Sequence, residues 1–136
     1  MKSSRFEAQY GCNIKVKELL YTNFFSIFDN CWCSAFAITG LVSNDISINV
    51  SVNSKLFITG TSKNELGQDC ILRVNANFNS SAVCQFLNAP TLLYLNASIG
   101  STIDAYGGKF VSATVEYGSF ITANIVTGKQ IGRAHV

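Results

Sequence analysis

An internal repeat of eighteen residues constrains the fold of this chain more than any other feature. Four residues return at that spacing: Gly100, Ser101, Ile103 and Ala105 recur as Gly118, Ser119, Ile121 and Ala123. A short fixed period of alternating apolar and polar residues is typical of a β-solenoid, in which each coil covers the apolar face of the next. We therefore predict an all-β solenoid with coils of about 18–20 residues, in which Ile103 stacks on Ile121.

A weaker repeat extends this pattern toward the N-terminus. The tripeptide Ile-Thr-Gly occurs at 38–40 and again at 58–60. A frame of about twenty residues thus connects Gly40, Gly60 and Gly100, with Ser80 at the remaining small position. Small residues accept the left-handed backbone of tight corners at little cost, so this frame predicts corners there. A coil of that length would hold three strands of about four to six residues.

Alternating hydrophobicity marks the individual strands. In residues 46–52, Ile and Val alternate with Ser and Asn, which predicts one buried and one solvated face. The same alternation runs through 70–78 and through 112–125. Pro90 is the single proline and cannot donate a ladder hydrogen bond. We therefore place it in a turn or at the start of a strand over 92–99.

The charge distribution excludes several classes of partner. Charged residues make up 13% of the 136 residues, the net charge is +2, and the ten Lys and Arg are scattered along the chain. Nucleic acids and anionic membranes attract clustered positive charge, so we predict neither as a partner. The window 19–42 has one charge but contains Asn23, Asp29 and Asn30, which a spanning helix would bury in hydrocarbon. We do not expect an integral membrane protein.

The two ends of the chain differ from its middle. Residues 1–23 show only a partial helical spacing of apolar residues, which predicts a short helix or an irregular segment before a solenoid over 24–130. Residues 131–136, IGRAHV, match the translation of a common sequencing adapter. We interpret them as adapter read-through at the cut end of a metagenomic fragment. His135, the single histidine, lies in this tail, so the solenoid itself offers no histidine for catalysis.

The five cysteines have neither a Cys-x-x-Cys pair nor the spacing of a zinc site, so we predict no metal and no cofactor. They are Cys12, Cys31, Cys33, Cys70 and Cys84. We interpret them as buried or half-buried free thiols in a reducing compartment. A disulfide between some pair of them is the alternative.

Residues 83–105, VCQFLNAPTLLYLNASIGSTIDA, resemble a stretch of the head GIN domain proteins, a family of adhesin-like proteins of bacterial envelopes. In that family a strand leads to Pro-x-Leu and then to a motif of serine, glycine and small residues. The similarity continues through 115–119 and includes 25–27, 38–40 and 46–52, so it spans roughly residues 24–127. The resemblance implies a right-handed β-solenoid or β-prism that is exported and has no known enzymatic residues.

These observations favour a non-catalytic structural or adhesive module of the cell envelope or extracellular space. Its expected partners are a surface glycan or protein, and further copies of itself through the ends or edges of the solenoid. The alternative is a cytoplasmic, polymer-forming scaffold similar to the bactofilins, whose coils associate end to end and which would suit five free cysteines. A carbohydrate-active β-helix enzyme is the third reading.

No residue is predicted to be catalytic. Asp104 is the strongest candidate acid, but in the eighteen-residue frame it stacks on Thr122 rather than on Glu116, so no carboxylate pair forms. A glycosidase needs two carboxylates that flank one bond, and the sequence gives no reason to place two together. Residues 106–109, Tyr-Gly-Gly-Lys, lack the spacing of a phosphate-binding loop, and we interpret them as a turn.

Aromatic residues are dense near the start of the predicted solenoid, at Phe24, Phe25, Phe28, Trp32 and Phe36. We interpret them as a core or capping cluster, because the open end of a solenoid needs a cover. A ligand-binding aromatic platform is the alternative.

Overall fold

Thirteen β-strands and no helix make up the regular structure of the residues that the computed structural model describes, which are 3–17, 25–62, 69–86, 90, 92–106, 110–124 and 129–132. The strands are Ser3–Ala8 (β1), Asn13–Val16 (β2), Phe25–Asn30 (β3), Ala35–Ser43 (β4), Asp45–Ser51 (β5), Lys55–Ser62 (β6), Ile71–Asn77 (β7), Ser81–Phe86 (β8), Leu92–Ala97 (β9), Thr102–Tyr106 (β10), Phe110–Val115 (β11), Phe120–Asn124 (β12) and Lys129–Gly132 (β13).

The strands alternate between two parallel sheets. The odd-numbered strands form a seven-stranded sheet in sequence order, which we call sheet A, and the even-numbered strands form a six-stranded sheet, which we call sheet B. Each coil therefore contributes one strand to each sheet, and the protein is a β-solenoid as predicted. The prediction of three strands per coil is wrong. The alternation over 112–125 continues from β11 through a corner into β12. The two strands therefore read as one in the sequence.

The strand register confirms the stacking of the repeat. Ile103 pairs with Ile121, as the eighteen-residue period predicts. The coil length varies along the chain: Phe110 pairs with Leu92, eighteen residues earlier, whereas Ile71 pairs with Asp45, twenty-six residues earlier. The N-terminal repeats were harder to see in the sequence because their period is not constant.

The core lies between the two sheets and is filled by alternate residues of every coil. In β5 the buried side chains are Ile46, Ile48 and Val50, which are 1% exposed. The strands above and below continue these rows, so each coil buries the apolar face of its neighbours. Burying one such side chain stabilises the fold by about 1.5–3 kcal/mol, and none of these coils would gain it alone.

Each coil turns from sheet A to sheet B through two residues with positive φ. The first of them is an aromatic or β-branched aliphatic residue in every coil, and we call this row the corner ridge: Tyr10, Trp32, Val52, Phe78, Ile99 and Tyr117. The second is Gly, Asn or Cys. Its amide donates to the carbonyl of the ridge residue in the next coil, as from Asn79 to Ile99 at 2.8 Å. Backbone pairing therefore continues through the corners.

The predicted frame of corner glycines is only partly right. Gly100 does lie in a corner, but Gly40 and Gly60 lie in sheet B, where Leu41 pairs with Gly60 across a bulge in β4. One extra residue in β4 separates Ile38 from Leu41, and Gly40 takes the positive φ of 83° that this bulge requires. The Ile-Thr-Gly repeat therefore marks a close approach of two strands rather than a corner.

A ladder of buried serines follows the corners. It consists of Ser34, Ser54, Ser80, Ser101 and Ser119. The amide of each serine donates to the hydroxyl of the serine in the next coil, for example from Ser80 to Ser101 at 3.1 Å and from Ser101 to Ser119 at 3.0 Å. The corner geometry directs these amides away from the sheet ladders, and a small hydroxyl supplies the acceptor that a buried amide needs.

Replacing Ser101 by alanine should destabilise the protein by about 1–3 kcal/mol, because the buried amide of Ser80 loses its acceptor. Urea denaturation of the Ser101→Ala variant measures this loss. Ser81→Ala is the matched control. Ser81 lies outside the serine ladder, at the start of β8, and is half-buried, so its replacement should cost no more than about 0.5 kcal/mol. Equal effects of the two changes would contradict a structural serine ladder.

The N-terminal segment is part of the solenoid. β1 and β2 pair with β3 and β4, so the predicted short helix is wrong within residues 3–17. Backbone pairing with the next coil and the inward packing of Ile14 and Val16 outweigh the weak helical spacing. At the other end, β13 includes Ile131 and Gly132 of the predicted adapter tail, and His135 lies outside the described residues. A parallel ladder needs only backbone groups, so residues of either origin can extend it.

Among the described residues no helix has the length and apolar composition to cross a membrane.

Candidate functional site

The outer face of sheet A carries two rows of polar side chains that run across the coils. Strand alternation turns every second residue outward, and the constant register within sheet A stacks these residues over one another. One row is Glu7, Asp29, Asn49, Asn75, Asn96 and Thr114, and the other is Arg5, Ile27, Ser47, Arg73, Tyr94 and Ser112.

The first row contains three consecutive amides, Asn49, Asn75 and Asn96, which we call the amide ladder. The Asn49 Nδ2 donates to Asp29 Oδ1 at 2.9 Å, and the Asn96 Nδ2 donates to Asn75 Oδ1 at 3.2 Å. An amide group has two donor hydrogens and an oxygen that accepts two bonds, so each side chain keeps donor and acceptor capacity toward solvent. The ladder is therefore oriented by its own hydrogen bonds and still able to bind a polar ligand.

The second row places a cation and an aromatic ring beside the amide ladder. The Arg73 Nη1 lies 2.6 Å from Asp45 Oδ1, which holds the guanidinium on this face. Tyr94 follows in the next coil and is 40% exposed. Together with the amide ladder these residues line a shallow depression of about 410 Å³. The face therefore combines planar hydrogen-bonding groups with one aromatic surface.

Two carboxylates meet at the N-terminal end of the same face. Glu7 and Asp29 are stacked in register, a carboxylate pair that the sequence did not predict. Arg5 is placed between them, with Nε 2.7 Å from Glu7 Oε1 and Nη2 2.5 Å from Asp29 Oδ2. The hydrogen bond that Arg5 donates to Glu7 and the negative charge of Asp29 raise the pKa of Arg5. The guanidinium therefore bridges the two carboxylates and offsets one of their two negative charges.

Asp104 occupies the place that the repeat predicted. It pairs with Thr122, is exposed, and forms no pair with Glu116, which follows β11. It lines a depression of about 360 Å³ on the outer face of sheet B together with Gln85 and Tyr106. Of the Tyr-Gly-Gly-Lys segment, Tyr106 ends β10 and residues 107–109 lie outside the described part of the chain.

All five cysteines are free thiols, but the structure places them at three levels of burial, so the prediction that they are buried or half-buried is wrong for Cys12 and Cys33. Cys70 and Cys84 are buried, Cys31 is half-buried, and Cys12 and Cys33 are exposed. Burial in the apolar core raises the pKa of Cys84 to about 12, with a further contribution from the negative charge of Asp104. Burial and the charge of Asp69 also raise the pKa of Cys70. The inner thiols are therefore neutral packing groups.

The predicted aromatic cluster is divided by the fold. Phe36 is in the core and meets Phe6 edge to face, with ring centroids 6.3 Å apart. Trp32, however, lies on the corner ridge and stacks on Tyr10, with centroids 6.1 Å apart. Placing Trp32 in a core or capping cluster was therefore wrong, because positive φ at the corner turns its side chain outward. Phe25 and Phe28 lie in β3, and Phe24 lies outside the described residues.

Within the described residues no three His, Cys, Asp or Glu side chains are grouped to hold a metal ion. Comparison of the chain with protein-family models, with curated proteins and with solved structures found no match.

Proposed function

We propose that this protein is a non-catalytic adhesive module of the cell envelope that binds an extended glycan along the outer face of sheet A. The amide ladder carries this proposal. Its flanking residues, Arg73 and Tyr94, complete a surface that is polar, periodic and nearly uncharged at its centre. The similarity of residues 24–127 to the head GIN domain proteins supports the envelope location.

The chemistry of the face matches that of a sugar chain. A sugar offers hydroxyl groups that both donate and accept, and amide side chains do the same. The less polar face of a pyranose ring packs against an aromatic ring, for which Tyr94 is available. Neighbouring strands are about 4.8 Å apart, so the amide ladder repeats its groups along the direction in which a linear glycan would lie.

The rigidity of the face favours binding. The polar side chains are on strands rather than on loops, and Asn75 and Asn96 are hydrogen-bonded to each other before any ligand arrives. A surface that is already ordered loses little conformational entropy on binding. A shallow, open depression suits an extended polymer better than a small enclosed metabolite.

The charged groups of this face are held in ion pairs. Arg5 bridges Glu7 and Asp29, and Arg73 pairs with Asp45. Hydrolysis of a glycosidic bond needs one carboxyl group that stays protonated and a second that is free to act on the opposite face of the sugar. The carboxyl groups of Glu7, Asp29 and Asp45 each contact a guanidinium and are not free in this way, which supports binding without cleavage.

A panel of neutral β-linked hexose and N-acetylhexosamine oligosaccharides tests the proposal by calorimetric titration. We expect one class to bind, and Tyr94→Ala to weaken its binding by about tenfold or more, since truncating a central aromatic contact costs more than about 1 kcal/mol. Tyr106→Ala is the matched control, because Tyr106 is 42% exposed on sheet B against 40% for Tyr94 on sheet A. Its affinity should equal that of the parent.

Three outcomes would overturn the proposal. They are failure of the whole panel to bind, equal loss of affinity in both tyrosine variants, and release of shortened oligosaccharides. Assembly of the purified protein into filaments without glycan binding would favour the polymer-forming scaffold instead.

A further inference from the structure

The residues of the corner ridge adopt a backbone conformation that is unfavourable for their side chains. Gly or Asn would turn the chain at a lower free-energy cost. The six ridge residues have φ between 52° and 60°, a region that disfavours bulky side chains and above all the β-branched Val52 and Ile99. The second corner position shows the less strained solution, because five of its six residues are Gly or Asn. At the first corner position, however, every coil has an aromatic or β-branched aliphatic residue.

Burial within one copy does not explain this choice. Tyr10 and Tyr117 are each 76% exposed, Trp32 is 50% exposed, and Phe78 and Ile99 are 47% and 39% exposed, while Val52 is half-buried. Backbone strain of this kind persists where another interaction compensates for it, and exposed apolar side chains in a continuous strip mark an interaction surface. The compensation is therefore expected to come from outside the single chain.

The surface of the ridge suits a protein partner in size and charge. Neighbouring coils are about 4.8 Å apart, so six coils give a strip about 24 Å long. At roughly 200 Å² for each fully exposed large side chain, the exposed fractions amount to about 600 Å² per copy. Two copies would bury about 1,200 Å², the lower end of the range for specific pairs. None of the twelve corner residues carries a formal charge that would oppose this.

The orientation of the rings argues against a sugar at this surface. Tyr10 and Trp32 form an offset stack, with 8° between their planes and 6.1 Å between their centroids. Each ring therefore turns one face toward the other ring, whereas a pyranose packs on a free ring face. Ring edges and aliphatic side chains interdigitate well with a second apolar ridge.

The order of side-chain sizes selects the arrangement of the two copies. Along the coils the ridge reads Tyr10, Trp32, Val52, Phe78, Ile99 and Tyr117. In an antiparallel pair about a two-fold axis, Trp32 of one copy faces Ile99 of the other, and Val52 faces Phe78. In a parallel pair, the two copies of Trp32 would face each other and so would the two copies of Val52. The first position would then be overpacked and the second underpacked. We propose that the corner ridge is the interface of an antiparallel homodimer.

Sedimentation velocity across a dilution series tests the dimer. We expect the parent protein to associate to a dimer with a Kd on the order of micromolar, as an interface of this size allows. Phe78→Asn should lower the affinity at least about tenfold, because each copy loses a central apolar contact twice in a symmetric interface. Asparagine accepts positive φ better than phenylalanine, so this variant should melt no earlier than the parent monomer.

Phe120→Asn is the matched control. Phe120 lies on the outer face of sheet B and is 48% exposed, almost the value of Phe78, so its replacement should leave the dimer intact. The exchange Val52→Phe with Phe78→Val tests the antiparallel register, since each single change should weaken the dimer and the double change should restore it. A parent that stays monomeric, grows beyond a dimer, or is unaffected by Phe78→Asn would overturn the proposal. Equal loss in Phe120→Asn would do so as well.

Discussion

Replacing Gly60 by alanine should destabilise the protein by about 3 kcal/mol or more, the largest effect that we expect from a single methyl group. A Cβ at this position would overlap the carbonyl oxygen of Leu41 and lie 2.7 Å from its carbonyl carbon. These are backbone atoms of the paired strand β4, so no side-chain rotation relieves the clash, and one strand must shift. Thermal unfolding should show a Tm lower by about 10 °C or more.

Gly118→Ala is the control for this experiment. Gly118 has a positive φ of 73°, but a Cβ there meets no atom within 4 Å. Its replacement adds backbone strain without a clash and should cost only about 1 kcal/mol. If Gly60→Ala is no more harmful than Gly118→Ala, β4 and β6 do not approach each other at the bulge as described.

The stacking of coils was the part of the fold that the sequence could predict. Every described residue of β10 pairs with the residue of β12 eighteen positions later, so equivalent residues repeat at a fixed distance. The inward alternation in 46–52 also correctly predicted Ile46, Ile48 and Val50 as core residues, whereas Val52, predicted on the same face, lies at a corner. Both signals follow directly from burial, which acts on every coil in the same way.

The corners were harder to predict because different residues solve the same backbone problem. Positive φ is taken by Gly118 in one coil, by Asn53 in another and by Cys33 in a third. The Ile-Thr-Gly repeat was more visible. Position 60 is glycine, however, because a Cβ there would clash with Leu41, and not because the chain turns a corner. A pattern of residue types therefore indicated a special backbone position without indicating which kind.

The candidate site could not be predicted because its register is hidden by unequal coils. Asn49, Asn75 and Asn96 are separated by twenty-six and twenty-one residues, so no constant period connects them. Glu7 and Asp29 came together for the same reason, through a coil of twenty-two residues. The tendency of strands to carry polar residues on the solvent side was visible, but the alignment of those residues depends on the length of each loop.

The two proposed surfaces are compatible in one assembly. An antiparallel pair about a two-fold axis that crosses the corner ridge keeps the outer faces of both A sheets on the same side. Two amide ladders would then be presented together, and binding of one long glycan by both would exceed the affinity of either. Binding of one glycan by two amide ladders depends on both proposals, whereas sedimentation velocity tests the dimer without a glycan.

The stability of the protein should fall steeply above pH 9 because of Cys84. Its pKa of about 12 in the folded chain lies above the ordinary value of 9.0, so the unfolded chain releases this proton first. The stabilisation is complete below pH 9 and is lost as the pH rises toward 12. Each unit of the difference corresponds to about 1.4 kcal/mol, so about 4 kcal/mol is lost by pH 12.

Urea denaturation of the parent and of Cys84→Ala at a series of pH values measures this contribution. The variant should be the less stable protein at pH 7, because it leaves a small cavity, and should lose less stability than the parent between pH 9 and pH 12. Val74→Ala is the control, since it also removes buried volume from the core but keeps the thiol, and its curve should run parallel to that of the parent. Parallel curves for the parent and Cys84→Ala would show that this thiol is not held neutral in the core.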